Sequence, residues 1–544
     1  MRRVLVPCLV AVAALGTLAP QPVPESVQDA LERQVRPRAE LVALYEPRGF
    51  APLWLGRDGE LMAAGRDALR VLEAAADEGL APADYETGRL HALAGEARAV
   101  DRFVRAADPE AVAACDVALS GAMLRYLADL HGGRVDPRAM GFTLDLPRDR
   151  HDFAAVLREA ADRRQVIDAV RAWAPRSVQY RALAYVLAHY RERAHAERPY
   201  QVDLDAPSVR PGEPFVGATA LRQRLVFLGD LDASDANGEA VHAGSVVEAL
   251  KRFQRRHGLE ADGVLGRQTR AALAVPLTTR VRQIELAMER LRWVPHDRAG
   301  RLVLVNIPMF RLLGWDSHPP SGAPSFTTGT IVGRAVHTQT PVLSATLTEV
   351  IFRPYWNVPT SIVRKEILPR LARDPGYLQR ERMELVAGQG DLSPVVDTTP
   401  ENLARLRAGT VRLRQQQGPD NALGLIKFSF PNQHDVYMHG TPAQSLFARS
   451  RRDFSHGCVR VEDPVGLATW ILGDQGWTRE RVEAASLAPH SSRVTVTPPV
   501  TVMLLYSTAA VLLDRGQAAF AEDIYRHDTR LDAALRARSV EAGR

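Results

Sequence analysis

The chain has 544 residues, 46% of them hydrophobic and 24% charged. That is too long for one ordinary core and suits a soluble protein of two to four domains. The formal net charge is +5, with no run of five or six like charges, so the footprint of a nucleic-acid binder is absent. The basic residues are almost all arginine, with lysine only at Lys251, Lys365 and Lys427, a bias read as codon usage.

The N-terminus, "MRRVLVPCLVAVAALGTLAPQPVPE", has two arginines, an apolar stretch from Val4 to about Ala19, then prolines. This is the pattern of a secretory signal, expected over residues 1–22, with export to follow. The apolar run is shorter than a spanning helix wants, and no other segment reads as a membrane span, so none is expected after cleavage. Loss of Cys8 with the signal would leave Cys115 and Cys458, too few for a disulfide framework. Cys115 lies in an apolar helical pattern and reads as a small buried hydrophobe.

Residues 25–205 are expected to form a helical scaffold domain. Leu69, Leu72 and Ala76 make one stripe ending at Gly79, and Leu119, Met123, Tyr126 and Leu130 make another. "DAPSVRPGEP" (205–214) reads as a linker. A small three-helix module is expected over 213–276. Its first two helices carry Leu221, Leu225 and Leu228, then Val246, Leu250 and Phe253, and a short third carries Thr269 and Leu273. An amphipathic helix through Ile284 and Met288 opens a mostly-β domain expected over 280–475. "RLVLVNIPMFRLL" alternates as one strand with Val303, Val305, Ile307 and Met309 on a face, and "TGTIVGRA", "LTEVIFRPYWNVP", "LGLIKFSF" and "DVYMHG" are further strands. Residues 360–420 break the pattern and are expected to form a helical capping insertion. The tail, 476–544, has strand composition and is expected to pack on the domain as an extension. The fold class is thus multidomain α+β.

Within "DFSHGCVRVED" (453–463), Cys458 sits among polar and glycine residues, which is not core packing. A cysteine nucleophile needs a base and oxyanion donors. In "DVYMHG", alternation puts Val436 and Met438 on the core face, so Tyr437 and His439 share the other, with a permissive Gly440 after them. His439 is therefore the candidate base, reaching Cys458 from a neighbouring strand. An imidazolium there would lower the thiol pKa from about 8.5 toward neutrality. Gly457 permits a sharp turn that lets the Gly457 and Cys458 amides face an oxyanion. Ser455 caps the turn, and His456 orients loop or substrate. The alternatives are a zinc site built from His434, His439, His456 and Cys458, whose spacing does not fit zinc motifs, and plain packing.

The pair "HG" at 439–440 followed by "SHGCVRV" at 455–461 resembles the signature of the L,D-transpeptidase (YkuD-type) catalytic domain. "FQRRHGLEADGVLGRQT" resembles a peptidoglycan-binding module. "GFAPLWLGRDGEL", "DEGLAPADY", "LADLHGGRVDPR", "RLRWVP", "PYWNVP" and "AEDIYRHDTRL" extend the likeness over nearly the whole mature chain, toward the large periplasmic subgroup with scaffold domain, wall-binding module and cap. Many members have asparagine two residues after the cysteine; here Arg460 stands there, as is usual in that subgroup.

The resemblance implies that Cys458 is the nucleophile and His439 the proton donor and acceptor. Tyr437, Trp356 and Gly440 would line the substrate groove, although both aromatics could equally be packing. Arg460 would bind a stem-peptide carboxylate or make a structural salt bridge. The implied reaction is acyl transfer on peptidoglycan tetrapeptide stems, with D-alanine released and a 3-3 cross-link made. No cofactor or metal is implied, carbapenems are implied inhibitors, and the periplasm of a Gram-negative-type bacterium is the implied compartment. The same acyl-enzyme could instead give an L,D-carboxypeptidase or attach an envelope protein to the wall. A non-enzymatic wall-binding scaffold is the remaining alternative.

Overall fold

A computed structural model describes residues 26–98, 107–144, 151–201, 203–237, 241–294, 300–317, 322–388, 390–391 and 393–542. The expected signal peptide lies outside them. The chain divides into two compact units.

The first unit holds residues up to Leu72, Glu86–Leu124 and Asp152–Ala169. Its organising group is a fully buried carboxylate, Asp116, on the helix Pro109–Gly132. The backbone N–H groups of Leu53, Trp54 and Leu55 donate to it at 3.0, 2.8 and 3.0 Å, and the Tyr45 hydroxyl donates as well. A buried charge persists only when its lone pairs are satisfied in this way. The helix is long and apolar enough to cross a membrane, contrary to the reading of the sequence. Its apolar side chains are core, however: Val112, Ala113, Leu119, Met123 and Leu127 are all 2% exposed or less. Cys115 is buried on the same helix, and burial pushes its thiol up to about 12.

The second unit holds the remaining residues. Its strands are β1 (Leu302–Asn306), β2 (Arg311–Trp315), β3 (Phe326–Gly333) and β4 (Leu343–Phe352). Then come β5 (Trp356–Asn357), β6 (Met383–Val386), β7 (Val395–Val396) and β8 (Arg412–Gln415). The series ends with β9 (Ile426–Ser429), β10 (Met438–His439), β11 (Asp453–Ser455), β12 (Val459–Val461), β13 (Ser492–Leu505), β14 (Ala509–Leu512) and β15 (Gln517–Phe520). The main sheet runs β11-β3-β12-β10-β9-β4-β13-β1-β2, and β2 pairs back onto β3. Eight strands therefore close into a barrel, with β11 attached to β3. Closure removes free sheet edges. Inside lie Val303, Val305, Leu347, Val350, Phe428, Met438, Val459, Val461, Val502 and Leu504, with Leu467, Ile471 and Val482 from the helices Pro464–Leu472 and Arg479–Leu487.

Four expectations need correction. "RLVLVNIPMFRLL" is not one strand but the β1–β2 hairpin, turning where Phe310 takes φ 53. Its uninterrupted apolar pattern hid the turn. The barrel does not end at 475, since β13 inserts between β4 and β1 and pairs with both. The Pro498-Pro499 pair falls where the β13–β4 register shifts, because proline brings no ladder donor. The capping insertion is not purely helical. It contains the antiparallel sheet β5-β8-β6-β7 and a core of its own with Val363, Ile367, Leu371, Leu385, Leu406 and Leu413. Strands of two to four residues are too short for alternation to reveal. Finally, the expected linker is tied down: Val209 and Leu265 form a β-bridge, and Arg270 donates to the Ala206 and Pro207 carbonyls, both at 2.8 Å.

The three-helix module forms as the spacing predicts, over Ala218–Leu228, Ser245–Arg256 and Arg267–Ala274. Gln254 locks it. Its amide nitrogen shares two hydrogens among Asp262, the Val264 carbonyl and Thr269 at 3.0–3.1 Å, and its oxygen accepts from Gly263 N–H at 2.9 Å. The helices Val178–Ala196 and Leu277–Arg292 share a core with the β14–β15 hairpin through Tyr180, Leu187, Ile284, Met288, Ala509 and Phe520.

Candidate active site

Strand register builds the site. β10 pairs antiparallel with β9 and parallel with β12, so Met438 stands opposite Phe428 and Val459, and all three are wholly buried in the barrel. Side chains alternate across a sheet. The next row, on the opposite face, is therefore Lys427–His439–Arg460.

His439 is 5% exposed, so the outward-facing base of the sequence reading is in fact covered. Its Nδ1 lies 2.5 Å from the Gly440 carbonyl oxygen. A carbonyl only accepts, so Nδ1 carries the proton and the neutral ring keeps its lone pair on Nε2. Burial, and then the flanking Arg460 and Lys427 charges, push this imidazole down to about 3 against the pull of the Gly440 and Leu423 carbonyls.

Cys458 occupies the turn between β11 and β12, directly before β12. Ser455 closes that turn: its hydroxyl donates to the Cys458 carbonyl at 2.6 Å and accepts from Gly457 N–H at 3.2 Å. Gly457 has φ +114, a conformation closed to ordinary side chains. Behind it, Thr340 donates to the Gly457 carbonyl at 2.8 Å and Thr338 to the Ser455 carbonyl at 3.1 Å. The Tyr525 hydroxyl braces the same loop, donating to the Gly333 carbonyl and accepting from Thr340 N–H. This gives the C-terminal "AEDIYRHDTRL" stretch a structural task at the site. Of the two expected oxyanion donors, the Gly457 amide is engaged by Ser455, while the Cys458 amide has no partner among the described residues.

The Cys458 sulfur faces the backbone N–H and hydroxyl of Tyr437, and Trp356 from β5 faces that hydroxyl in turn. Lys427 Nζ stands 4.0 Å from the Tyr437 ring centroid, and the Tyr437 and His439 rings are 5.7 Å apart. Burial nonetheless pushes the Cys458 thiol up, outweighing the Tyr437 N–H, Lys427, the Tyr437 hydroxyl and Arg460, all of which favour the thiolate. The expected imidazolium–thiolate pair is thus replaced by a neutral thiol and a neutral imidazole. Arg460 makes no ion pair among the described residues. Its Nε is buried without a partner among the described residues, and the charge that acts on it most is another cation, Arg334. Among the described residues no carboxylate pairs with it, as the salt-bridge reading would need.

His456 is bonded to a residue outside this cluster. Its Nε2 lies 2.6 Å from Oε1 of Glu366, in the capping insertion. Gly440 is buried, and its N–H donates to the Ile426 carbonyl at 2.9 Å. His434 bonds to Thr143 Oγ1 at 2.9 Å, and among the described residues no three His, Cys, Asp or Glu side chains gather as a metal site. Reading the sequence missed Lys427, Arg334, Thr340 and Glu366. Only Lys427 carried a signal: it is a lone charge between Ile426 and Phe428 in a chain with three lysines.

Residues 300–501 match the family model of the L,D-transpeptidase catalytic domain, 39–187 that of the scaffold domain, and 217–273 that of the "Putative peptidoglycan binding domain". A Haemophilus influenzae protein named "Putative L,D-transpeptidase" is 29% identical over 295 residues. The match covers 53% of this chain and 58% of that protein, so it spans little more than half of the relative's length. The crystal structure of an L,D-transpeptidase from Stackebrandtia nassauensis matches at 14% identity over 57% of this chain and 97% of its own, with a TM-score of 0.22, too distant to bear on the fold.

Proposed function

We propose, from the L,D-transpeptidase catalytic domain at residues 300–501, that this protein is a cysteine-dependent acyltransferase that cross-links peptidoglycan stems. The observation that supports the reading is the β10–β12 register, which pairs His439 with Arg460, two residues after Cys458.

The Cys458 sulfur attacks the carbonyl of the L-centre in a tetrapeptide stem while His439 Nε2 removes the thiol proton. Because both groups start neutral, proton transfer accompanies S–C bond formation rather than preceding it. The Cys458 N–H stabilises the oxyanion, joined by Gly457 N–H once Ser455 releases it. The C–N bond to the terminal D-alanine breaks, His439 protonates the leaving amine, and a thioester remains. The side-chain amine of a second stem attacks the thioester, His439 takes its proton, and the thiol returns as a 3-3 cross-link forms. Arg460, free of a carboxylate partner, binds an acidic group of the stem. The cap keeps water from the thioester, so an amine resolves it. A peptidoglycan substrate puts the work outside the cytoplasm.

Incubating the protein with disaccharide-tetrapeptide and weighing the products tests this. Cross-linked dimers are expected. Tripeptide alone would make the protein an L,D-carboxypeptidase, and unchanged substrate would overturn the proposal.

A further inference from the structure

A cavity of about 520 Å³ lies between the three-helix module, the β1–β2 turn, the segment Ser450–Arg452 and the β14–β15 hairpin. It takes no part in the chemistry proposed above. Seven arginines and only two acids line it. Both acids are already countered, Glu522 by Arg451 and Asp514 by Arg515. Arg256 is neutralised by the buried Asp230. That leaves Arg252, Arg255, Arg311 and Arg452 with no ion pair among the described residues, although the Glu248 carboxylate acts on Arg252 and Arg255 and that of Glu462 on Arg452. Arg252 is held by the Asp230 carbonyl, and Arg452 by the Phe447 and Phe310 carbonyls, so these two are fixed in place. The Arg452 Nε is buried with no acceptor. Arg255 and Arg311 are exposed and bonded to nothing described. Pro308, Met309 and Phe310 add an apolar wall.

A concavity lined by one sign of charge concentrates counter-ions, and the guanidinium fork is matched to oxyanions. A cavity of this volume takes a peptide-sized ligand rather than a bare ion. Arg452 leads into β11, six residues before Cys458, so the two sites are at most about 22 Å apart along the chain. We propose that this cavity is an exosite for the carboxylates of an acidic peptidoglycan stem other than the one being acylated, held partly by the wall-binding module. It would keep a neighbouring stem of the same polymer beside the catalytic centre. The assignment of the ligand rests on the function proposed above; the anion site itself rests on the arginines.

The test uses the full chain, a disaccharide-tripeptide (which has no terminal D-alanine to lose) and sodium pyrophosphate, measured by titration calorimetry. Two classes of muropeptide site are expected. Arg255→Gln/Arg311→Gln should weaken one class at least tenfold, and Arg255→Glu/Arg311→Glu should abolish it. Alkylation of Cys458 by iodoacetamide should proceed at the unaltered rate in both variants, which shows the catalytic domain intact. Unchanged muropeptide binding in the variants, a single class of site in the parent, or arginine-dependent binding of pyrophosphate without the muropeptide would each overturn the proposal. Arginine-dependent muropeptide binding by a protein that forms no dimers would keep the exosite and sink the transpeptidase reading.

Discussion

His439 and Arg460 are register partners across the parallel strands β10 and β12. A permanently charged guanidinium thus stands beside the candidate base, and with burial it keeps the imidazole unprotonated. Arg460→Met should raise the His439 pKa from about 3 toward the ordinary value near 6.5, because removing a neighbouring cation favours imidazolium. An NMR titration of the ring protons reads the shift. A pKa that stays put would mean that burial alone sets it.

Cys458→Ala should abolish cross-linking and leave the fold intact, since the side chain is small and only half-buried. A carbapenem should add its mass to Cys458 in the parent protein and not in the variant. Dimers formed by purified Cys458→Ala protein would rule out the assigned nucleophile.

Lys427→Met removes a charge that favours the thiolate, so the thiol should titrate still higher. At pH 7.5, alkylation by iodoacetamide should slow about tenfold for each unit of pKa gained. Lys427→Arg, which keeps the charge, should recover most of the rate. Equal rates in the Met and Arg variants would assign Lys427 to packing on Tyr437.

Glu366→Gln removes the carboxylate charge from the contact between the cap and His456 and so weakens it. An exposed pair of this kind contributes about 0–1 kcal/mol, so thermal stability should hardly move. The tripeptide-to-dimer ratio should rise as water gains entry. An unchanged ratio would show that the cap closes without this contact.

Acid should destabilise the protein through its buried histidines. His439 is held down to about 3 and His527 to about 4, and burial holds His257 well below its ordinary value. Folded pKa values below the unfolded value near 6.5 mean that the unfolded chain binds protons first as pH falls. Stability present above pH 6.5 is then lost on the way to pH 4, by about 1.4 kcal/mol per unit for each histidine. Urea midpoints measured against pH should fall less steeply in His439→Gln. A parallel slope would place the proton uptake elsewhere.

The sequence by itself determined what is local. The helical stripes of the scaffold and the module are set by spacing within one segment, and Leu221, Leu225, Val246, Leu250 and Phe253 are buried as that spacing requires. It also singled out Cys458 and Gly457, because a polar, glycine-rich setting for a rare cysteine is visible in a few adjacent residues. Tertiary structure alone decided what surrounds the sulfur. Lys427 lies on β9, Tyr437 and Cys458 directly precede β10 and β12, and Trp356 and Glu366 come from an inserted subdomain whose strands are too short to leave a pattern. The protonation state followed the same division. The residue types pointed to an ion pair, but burial penalises both charges, and only the folded chain reveals how deeply His439 is covered.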